Sequence, residues 1–442
     1  MTVETRSLIL KAYAWLFLLS GAVFILLTGA LSSGLDLAAA MLPLARPSPH
    51  ATRTLWLGLT GSMMAMIAYL SLTLAADPRQ VAAWRTLLLS KAVSTLLFLC
   101  FAALERNTLF LIGAFFDGGI LVHLAWLSSG ACVPADPLSP ASGTVPDCVH
   151  EAWFLKANDP SSKDAVWLRY TLERSDSGLE GRVWYAVFDA RERRVLSGSW
   201  TEPEACACHG LGLCRVGDQR LTRGSASADG PDASWRLSWK DRGVPAFDFV
   251  PSWLYAWGLA GTSYTSAVPA ALFDGEVRVS GRTYAFRSAP GSVGHLWGRR
   301  KAHSWRWLHA AFPDRNGGVE AVFELLSAKG SLGPLVLPRV TRGFLWRKGR
   351  VHESSWLKPA GTEAQDHGWR FSLGFDGFSA QGSCAPALDL IAVFEYPDAH
   401  GGPLTCRNSK AGSVQLELRG LEGGLRLASS DSAAVEVVER AS

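Results

Sequence analysis

Charge is scarce in this sequence. Asp, Glu, Lys and Arg make up 19% of its 442 residues, and the formal net charge is only +4. No basic stripe stands out, so nucleic acid is not an expected partner. Cysteine is sparse as well, with eight residues and no C-x2-C pair of the kind a tight zinc knuckle needs. Cys206, Cys208, His209 and Cys214 are ligand types zinc accepts, but their spacing reads as loop or disulfide chemistry, and no metal is expected. The chain has no G-x-S-x-G elbow in a strand–turn–helix setting, no Walker-type Gly-Lys-Ser/Thr loop and no H-E-x-x-H pair. Its 43 glycines are scattered through turns, with no helix following to cradle a phosphate, so no cofactor is expected.

The scarcity is uneven. Up to Gly130 the chain holds eight Lys/Arg and five Asp/Glu, and Leu, Ala, Phe and Gly dominate. Four runs there are long enough to cross a hydrocarbon core about 30 Å thick. They are residues 12–31, 54–76, 86–104 and 108–128. The first is too long for a signal-peptide core, and three more follow, so an uncleaved helix is expected. Four spans put both ends on one side. Arg6, Lys11, Arg79 and Arg85 then lie with the termini, against Arg46, Arg53 and Arg106 opposite, which favours a cytoplasmic C-terminal region. Lys91, Asp117 and His123 fall inside spans, where ionisable groups face a bundle interior or snorkel. Counted from Arg106, Lys91 and Asp117 reach similar depths on antiparallel helices and are expected to pair.

Residues 131–149 are rich in Pro, Ser, Ala and Gly and read as a linker. Cys132 and Cys148 bracket it and could close a loop in an oxidising compartment.

From His150 onward, short period-two runs recur between turn signals. Examples are Ala165-Val-Trp-Leu-Arg-Tyr, Arg182-Val-Trp-Tyr-Ala-Val-Phe and Val319-Glu-Ala-Val-Phe-Glu. No long helical period interrupts them. The expectation is an all-β region of two barrels with eight to ten strands each, at residues 150–288 and 289–442, after a transmembrane region at 1–130. Fourteen of the 18 Trp lie in this β region. Singly they are core residues, but together they suggest an apolar ligand cavity.

The phrases Ser266-Ala-Val-Pro-Ala-Ala-Leu-Phe-Asp-Gly-Glu-Val and Pro290-Gly-Ser-Val-Gly-His295-Leu-Trp297-Gly298, followed by Trp305-Arg-Trp307, resemble the tandem lipocalin-like family of carotenoid 1,2-hydratase (hydroxyneurosporene synthase) and tocopherol cyclase. Glu151-Ala-Trp153 and Ala165-Val-Trp167 are similar too. The resemblance implies two lipocalin-like, calycin-type barrels. It also implies a catalytic His295 and Trp297, with Glu324 at the position of the acid. Glu324 replaces the family's usual Asp, Val322 stands where the hydratases carry Tyr, and Leu296 follows the His. Trp153, Trp167, Trp305 and Trp307 are the expected ligand-lining residues.

Such a site would hydrate, cyclise or isomerise a double bond by protonating it. That requires a carboxyl kept protonated by burial, and aromatic faces for the resulting cation. The expected function is a membrane-anchored enzyme on a lipophilic, isoprenoid-like small molecule drawn from the bilayer. The alternatives are a lipid or pigment carrier and a membrane-tethered interaction module. Nothing in the sequence speaks to oligomeric state.

Overall fold

The computed structural model describes residues 3–42, 44–45, 50–76, 80–129, 136–141, 148–175, 178–202, 204–208, 212–251, 254–255, 259–313, 319–332, 335–355, 358–365, 368–398, 401–421 and 424–440. The chain divides into a helical unit, residues 1–133 with 252–259, and a β unit, residues 134–251 with 260–442.

The helical unit contains α1 (Val3–Leu26), α2 (Thr28–Met41), α3 (His50–Ala76), α4 (Val81–Leu104) and α5 (Leu109–Ser129). All but α2 are long and apolar enough to cross a membrane, over Thr5–Leu26, Leu59–Ala76, Ala82–Leu104 and Leu109–Ser128. The first span therefore begins and ends earlier than the expected 12–31. The apolar run breaks at Leu27, whose φ of −115° and ψ of 34° are not helical. The 14-residue α2 that follows is too short to span. α1 and α3 approach closely: a Cβ on Gly21 would stand 3.1 Å from the Gly61 carbonyl oxygen. Small residues permit such backbone contact where lipid supplies no hydrophobic drive between helices.

The expected pair forms. Lys91 Nζ lies 2.8 Å from Asp117 Oδ1, and Ser94 Oγ donates to Asp117 Oδ2 at 2.5 Å. The Phe17 ring sits 4.8 Å from the ammonium. His123 has a separate partner, the Tyr13 hydroxyl, 2.6 Å from its Nδ1. Many large apolar side chains point outward from these helices, among them Trp15, Leu26, Leu104 and Phe115, the last 77% exposed.

The β unit is two antiparallel sheets. The first holds β1 (His150–Asn158), β2 (Ala165–Ser175), β3 (Gly178–Asp189), β4 (Arg194–Glu202), β5 (Ala205–Ala207), β6 (Gly212–Val216), β7 (Gln219–Thr222), β8 (Ser225–Asp229), β9 (Ala233–Asp241), β10 (Phe247–Asp248), β11 (Thr262–Val279) and β12 (Arg282–Gly298). The second holds β13 (Ser304–Pro313), β14 (Val319–Leu332), β15 (Leu335–Arg347), β16 (Arg350–Glu353), β17 (Ala360–Gln365), β18 (Gly368–Gly374), β19 (Ser379–Ala385), β20 (Ala392–Tyr396), β21 (Leu404–Arg419) and β22 (Leu425–Arg440).

The strand orders are β4-β3-β2-β1-β12-β11-β9-β8-β7-β6-β5 and β16-β15-β14-β13-β22-β21-β19-β18-β17. Each sheet opens with a four-strand meander, returns its last strand to pair with its first, and hangs one short strand on the penultimate one. This is one topology used twice. Each sheet also curls back on itself. A Cβ on Gly181 of β3 would lie 2.6 Å from that of Ala205 on β5, and an isolated Ser354–Phe375 bridge joins the ends of the second sheet. The N-terminal apolar helices are thus followed by tandem all-β barrels. Twelve strands are described in the first, more than the eight to ten expected, and ten in the second, within that range. The changeover lies between Gly298 and Ser304, whereas the expected 288/289 falls inside β12.

Alternation explains the strands, and burial on both sides explains why they are so apolar. On β2, Val166, Leu168, Tyr170 and Leu172 face the core of the first barrel. Ala165 and Trp167 face the other way, into a cluster shared with Leu390, Phe394, Tyr396 and Cys406 of the second sheet. A second shared cluster joins Phe247, Phe249 and Tyr264 to Trp307, Val322 and Phe344. The two barrels therefore meet along a seam, and strands lining it bury both faces.

Candidate functional site

The expected site residues divide between the interior of the first barrel and the seam. His295 and Trp153 are paired across β12 and β1, and their rings stack 4.8 Å apart at 3°. Trp153 belongs to the first barrel's core, while Leu296, the residue after His295, turns to the seam. Both ring nitrogens of His295 are engaged. Nδ1 donates to the Pro137 carbonyl at 2.9 Å, and Nε2 lies 2.8 Å from Glu151 Oε1. The same carboxylate oxygen takes the Ala141 N–H at 2.5 Å, and Trp153 Nε1 donates to the Leu138 carbonyl at 3.0 Å. Residues 136–141 are thereby fastened to the barrel, with the Leu138 side chain in its core. Trp297 is buried two residues along the same strand. None of the hydrogen bonds made by His295 reaches Glu324 or a partner of Glu324, so the structure does not bring the expected trio together.

Glu324 lies on the seam. It projects from β14 and is wholly buried. Tyr264 Oη donates to Oε1 at 2.5 Å, Trp307 Nε1 donates to the same oxygen at 2.7 Å, and Ser266 Oγ donates to Oε2 at 2.5 Å. Tyr264 and Ser266 come from β11 of the first sheet, and Trp307 from β13 of the second. The phrase beginning at Ser266 thus matters because it carries a hydroxyl across the seam. Aromatic rings close the cradle: Phe154 stacks on Tyr264 at 5.8 Å and meets Trp307 edge-on at 5.4 Å. Burial raises the Glu324 carboxyl above its ordinary value; the Ser266, Tyr264 and Trp307 donors and the Lys156 charge oppose the shift without cancelling it. The Tyr264 and Ser266 hydroxyls can each turn from donor to acceptor, so the cradle fits either protonation state.

Around Glu324 the seam is polar to a degree the sequence did not announce. Register places His309 directly across from Glu324, and Trp307, Glu436 and Asn408 in one row across β13, β22 and β21. His309 Nε2 donates to the Pro269 carbonyl at 2.8 Å, leaving Nδ1 as a buried acceptor with no partner among the described residues. Burial, then the Lys156 charge, hold its imidazole well below the usual range. Lys156 Nζ donates to the Ser432 carbonyl at 3.1 Å and to Asn158 Oδ1 at 3.3 Å. Burial, with the Lys410 charge adding, brings Lys156 down to about 7. Lys410 Nζ sits 3.7 Å from Glu436 Oε2 and 4.6 Å from the Trp307 ring centre, and burial brings it down to about 8. Asn408 is wholly buried, and neither its Oδ1 nor its Nδ2 has a partner among the described residues.

Trp305 Nε1 donates to Glu436 Oε1 at 2.9 Å, and Trp167 lies 5.8 Å from Lys410 Nζ. Of the four expected lining tryptophans, Trp167, Trp305 and Trp307 thus face the seam and Trp153 the first barrel. His309, Lys156, Lys410 and Asn408 went unnoticed in the sequence. For His309 a signal existed, since Trp305, Trp307 and His309 stand two apart on one strand face.

Both barrel interiors are filled by their own side chains, Trp153, Trp235 and Phe273 in the first, Phe323, Trp369 and Phe371 in the second. A cleft lined by Thr171, Glu173, Glu180, Arg182, Trp184 and Pro397 holds about 10 Å3, room for a single water. Among the described residues no group of three or more His, Cys, Asp or Glu is placed to hold a metal. His209 lies outside them, as does the Cys132 end of the expected Cys132–Cys148 pair.

No protein-family model matches the chain. It is 24% identical over 283 residues to the uncharacterized proteins MT0513 and Rv0493c of Mycobacterium tuberculosis, covering 61% of this chain and 81% of each relative. Among solved structures it is similar to CghA with Sch210972 (TM-score 0.49, 12% identity, 70% of this chain and 93% of that one). It is similar also to kievitone hydratase from Nectria haematococca (TM-score 0.45, 10% identity, 70% and 93%). The fold therefore rests on the strand order of this chain itself: apolar helices, then two antiparallel barrels meeting along a polar seam.

Proposed function

We propose that the chain is a membrane-anchored enzyme that hydrates a double bond in a lipophilic, isoprenoid-like molecule, with Glu324 as the acid. The observation that carries this reading is the Glu324 cradle: a wholly buried carboxyl, raised by burial, held among two hydroxyls and an indole and roofed by aromatic rings. Four apolar helices bearing outward-facing Leu, Phe and Trp supply the anchor, with the β unit on the cytoplasmic side.

The chemistry follows from the cradle. Glu324 gives its proton to one alkene carbon, and the cation left on the other carbon is stabilised by the faces of Trp307, Phe154 and Tyr264. Water is the second reactant. His309 Nδ1 and the Asn408 amide, buried on the seam with no hydrogen-bond partner among the described residues, are groups that water satisfies. Its oxygen bonds to the cation, its proton passes to His309 Nδ1, and transfer from there to Glu324 restores the acid. His295 and Trp297 serve as positioning residues, through β12 and the fastened segment 136–141.

A second reading, a membrane-tethered interaction module, is favoured by the filled barrel interiors. One experiment separates them. Mass spectrometry of the detergent-purified protein is expected to find a bound isoprenoid, and an added unsaturated isoprenoid is expected to gain the mass of water with wild type but not with Glu324→Gln. If neither protein retains a lipophile or converts one, the enzyme reading fails.

A further inference from the structure

We propose that Cys206 and Cys208 form a reversible thiol–disulfide exchange site on the outer face of the first barrel, whose partner is an anionic low-molecular-weight disulfide such as oxidised glutathione. The two sulfurs lie 3.7 Å apart, and both residues are partly exposed.

Strand register sets the surroundings. Cys206 of β5 stands opposite Arg215 of β6, and Arg215 stands opposite Arg220 of β7, so a thiol and two exposed arginines share one row. The Arg215 guanidinium lies beside Cys206 and is held up in pKa by it. Cys214 is excluded from the pair. It stands opposite Ala207 on the other face and is buried in the first barrel's core. Burial and the neighbouring Cys206 push the Cys208 thiol up, with Arg215 and Arg220 pulling against them. Cys206 stands in the arginine row where an anionic partner docks, and is therefore the attacking group and Cys208 the resolving one.

A bond between residues two apart needs their Cβ atoms closer than an extended strand holds them. β5 ends at Ala207, and Cys208 keeps one further bond, its N–H to the Leu213 carbonyl at 3.0 Å, which gives way as the pair closes. The strain that remains makes the bond easily reduced, which suits exchange and not permanent stapling.

The balance is simple. The Cys206 thiolate attacks one sulfur of the partner disulfide, forming a mixed disulfide and releasing the first thiolate. Cys208, losing its proton to solvent, attacks the Cys206 sulfur and releases the second. Two protein thiols are oxidised to one disulfide, and one partner disulfide is reduced to two thiols. The two arginines attract the carboxylates of such a partner.

The test uses the full-length protein in detergent, incubated with oxidised glutathione and mapped by non-reducing peptide mass spectrometry. A Cys206–Cys208 link, opened again by dithiothreitol, is expected. Cys208→Ser should stop at glutathione-bound Cys206, and Arg215→Ala with Arg220→Ala should slow the reaction about tenfold. Retention of both thiols overturns the proposal, and so does a link through Cys214.

Discussion

The interior of each barrel and the seam between them are equally buried and chemically opposite. The interiors are mainly apolar: the first is filled by Trp153, Trp235, Phe273 and their neighbours, with the buried His295–Glu151 pair among them, the second by Phe323, Trp369 and Phe371. The seam buries Glu324, Glu436, Lys156, Lys410, His309 and Asn408 among aromatic rings. Unpaired polar groups in such surroundings cost about 1–3 kcal/mol each, so a seam of this kind persists only for a use other than stability. In a lipocalin-like fold a ligand would be sought inside a barrel. The comparison teaches that here the interiors hold the fold together, and the proposed acid lies where the two repeats meet.

The comparison can be broken most forcefully from the interior. Trp153→Ala empties a core position and removes the bond to Leu138; a loss of about 3–5 kcal/mol is expected in denaturant unfolding followed by tryptophan fluorescence. His295→Ala leaves the Glu151 carboxylate buried without its imidazole, and roughly 3 kcal/mol should go in the same assay. Residues 136–141 should then become open to protease. If either variant instead leaves stability intact, the interior is not the structural half.

The seam variants should act through pH. The Lys156 ammonium is depressed to about 7 in the fold and returns to the ordinary lysine value, 10.5, when unfolded. Across that window the unfolded chain binds more protons, so stability rises with pH; below about 7 both states are protonated and the slope vanishes. Lys410, brought down to about 8, adds to the rise above that pH, so Lys156→Met should remove the part that begins near pH 7. Glu324 runs the other way. Its raised carboxyl keeps a proton that the unfolded chain has lost, so stability falls as pH climbs from the ordinary glutamate range through the raised value, and Glu324→Gln should flatten the fall.

The smallest effect is expected at Asn408. If a water satisfies both of its amide atoms, Asn408→Leu should lose about 1 kcal/mol; a gain of similar size would mean a dry seam.

Much of the fold was legible in the sequence. Alternation around Val166, Leu168 and Tyr170 marks β2, and the apolar runs mark the long helices. The counted depths of Lys91 and Asp117 foretold their pair. The barrel boundary was not legible: the expected 288/289 falls inside β12, one strand from Arg282 to Gly298. The site was legible only in part. Period-two alternation assigns residues to faces but cannot say which of two buried faces is a barrel interior and which a seam. The family resemblance joins His295 and Glu324 in one site, whereas their hydrogen bonds lie in the first barrel and on the seam. Lys156 and Lys410 were hidden for the same reason, since a lysine in a strand ordinarily marks the solvated face.

The central claim is that Glu324 is a buried acid poised to give up a proton. Infrared difference spectra of wild type against Glu324→Gln, recorded across pH, follow that one carboxyl directly. The account predicts a protonated carboxyl band that persists above the ordinary glutamate range and disappears in the variant. A carboxylate band already complete at or below that range would contradict it.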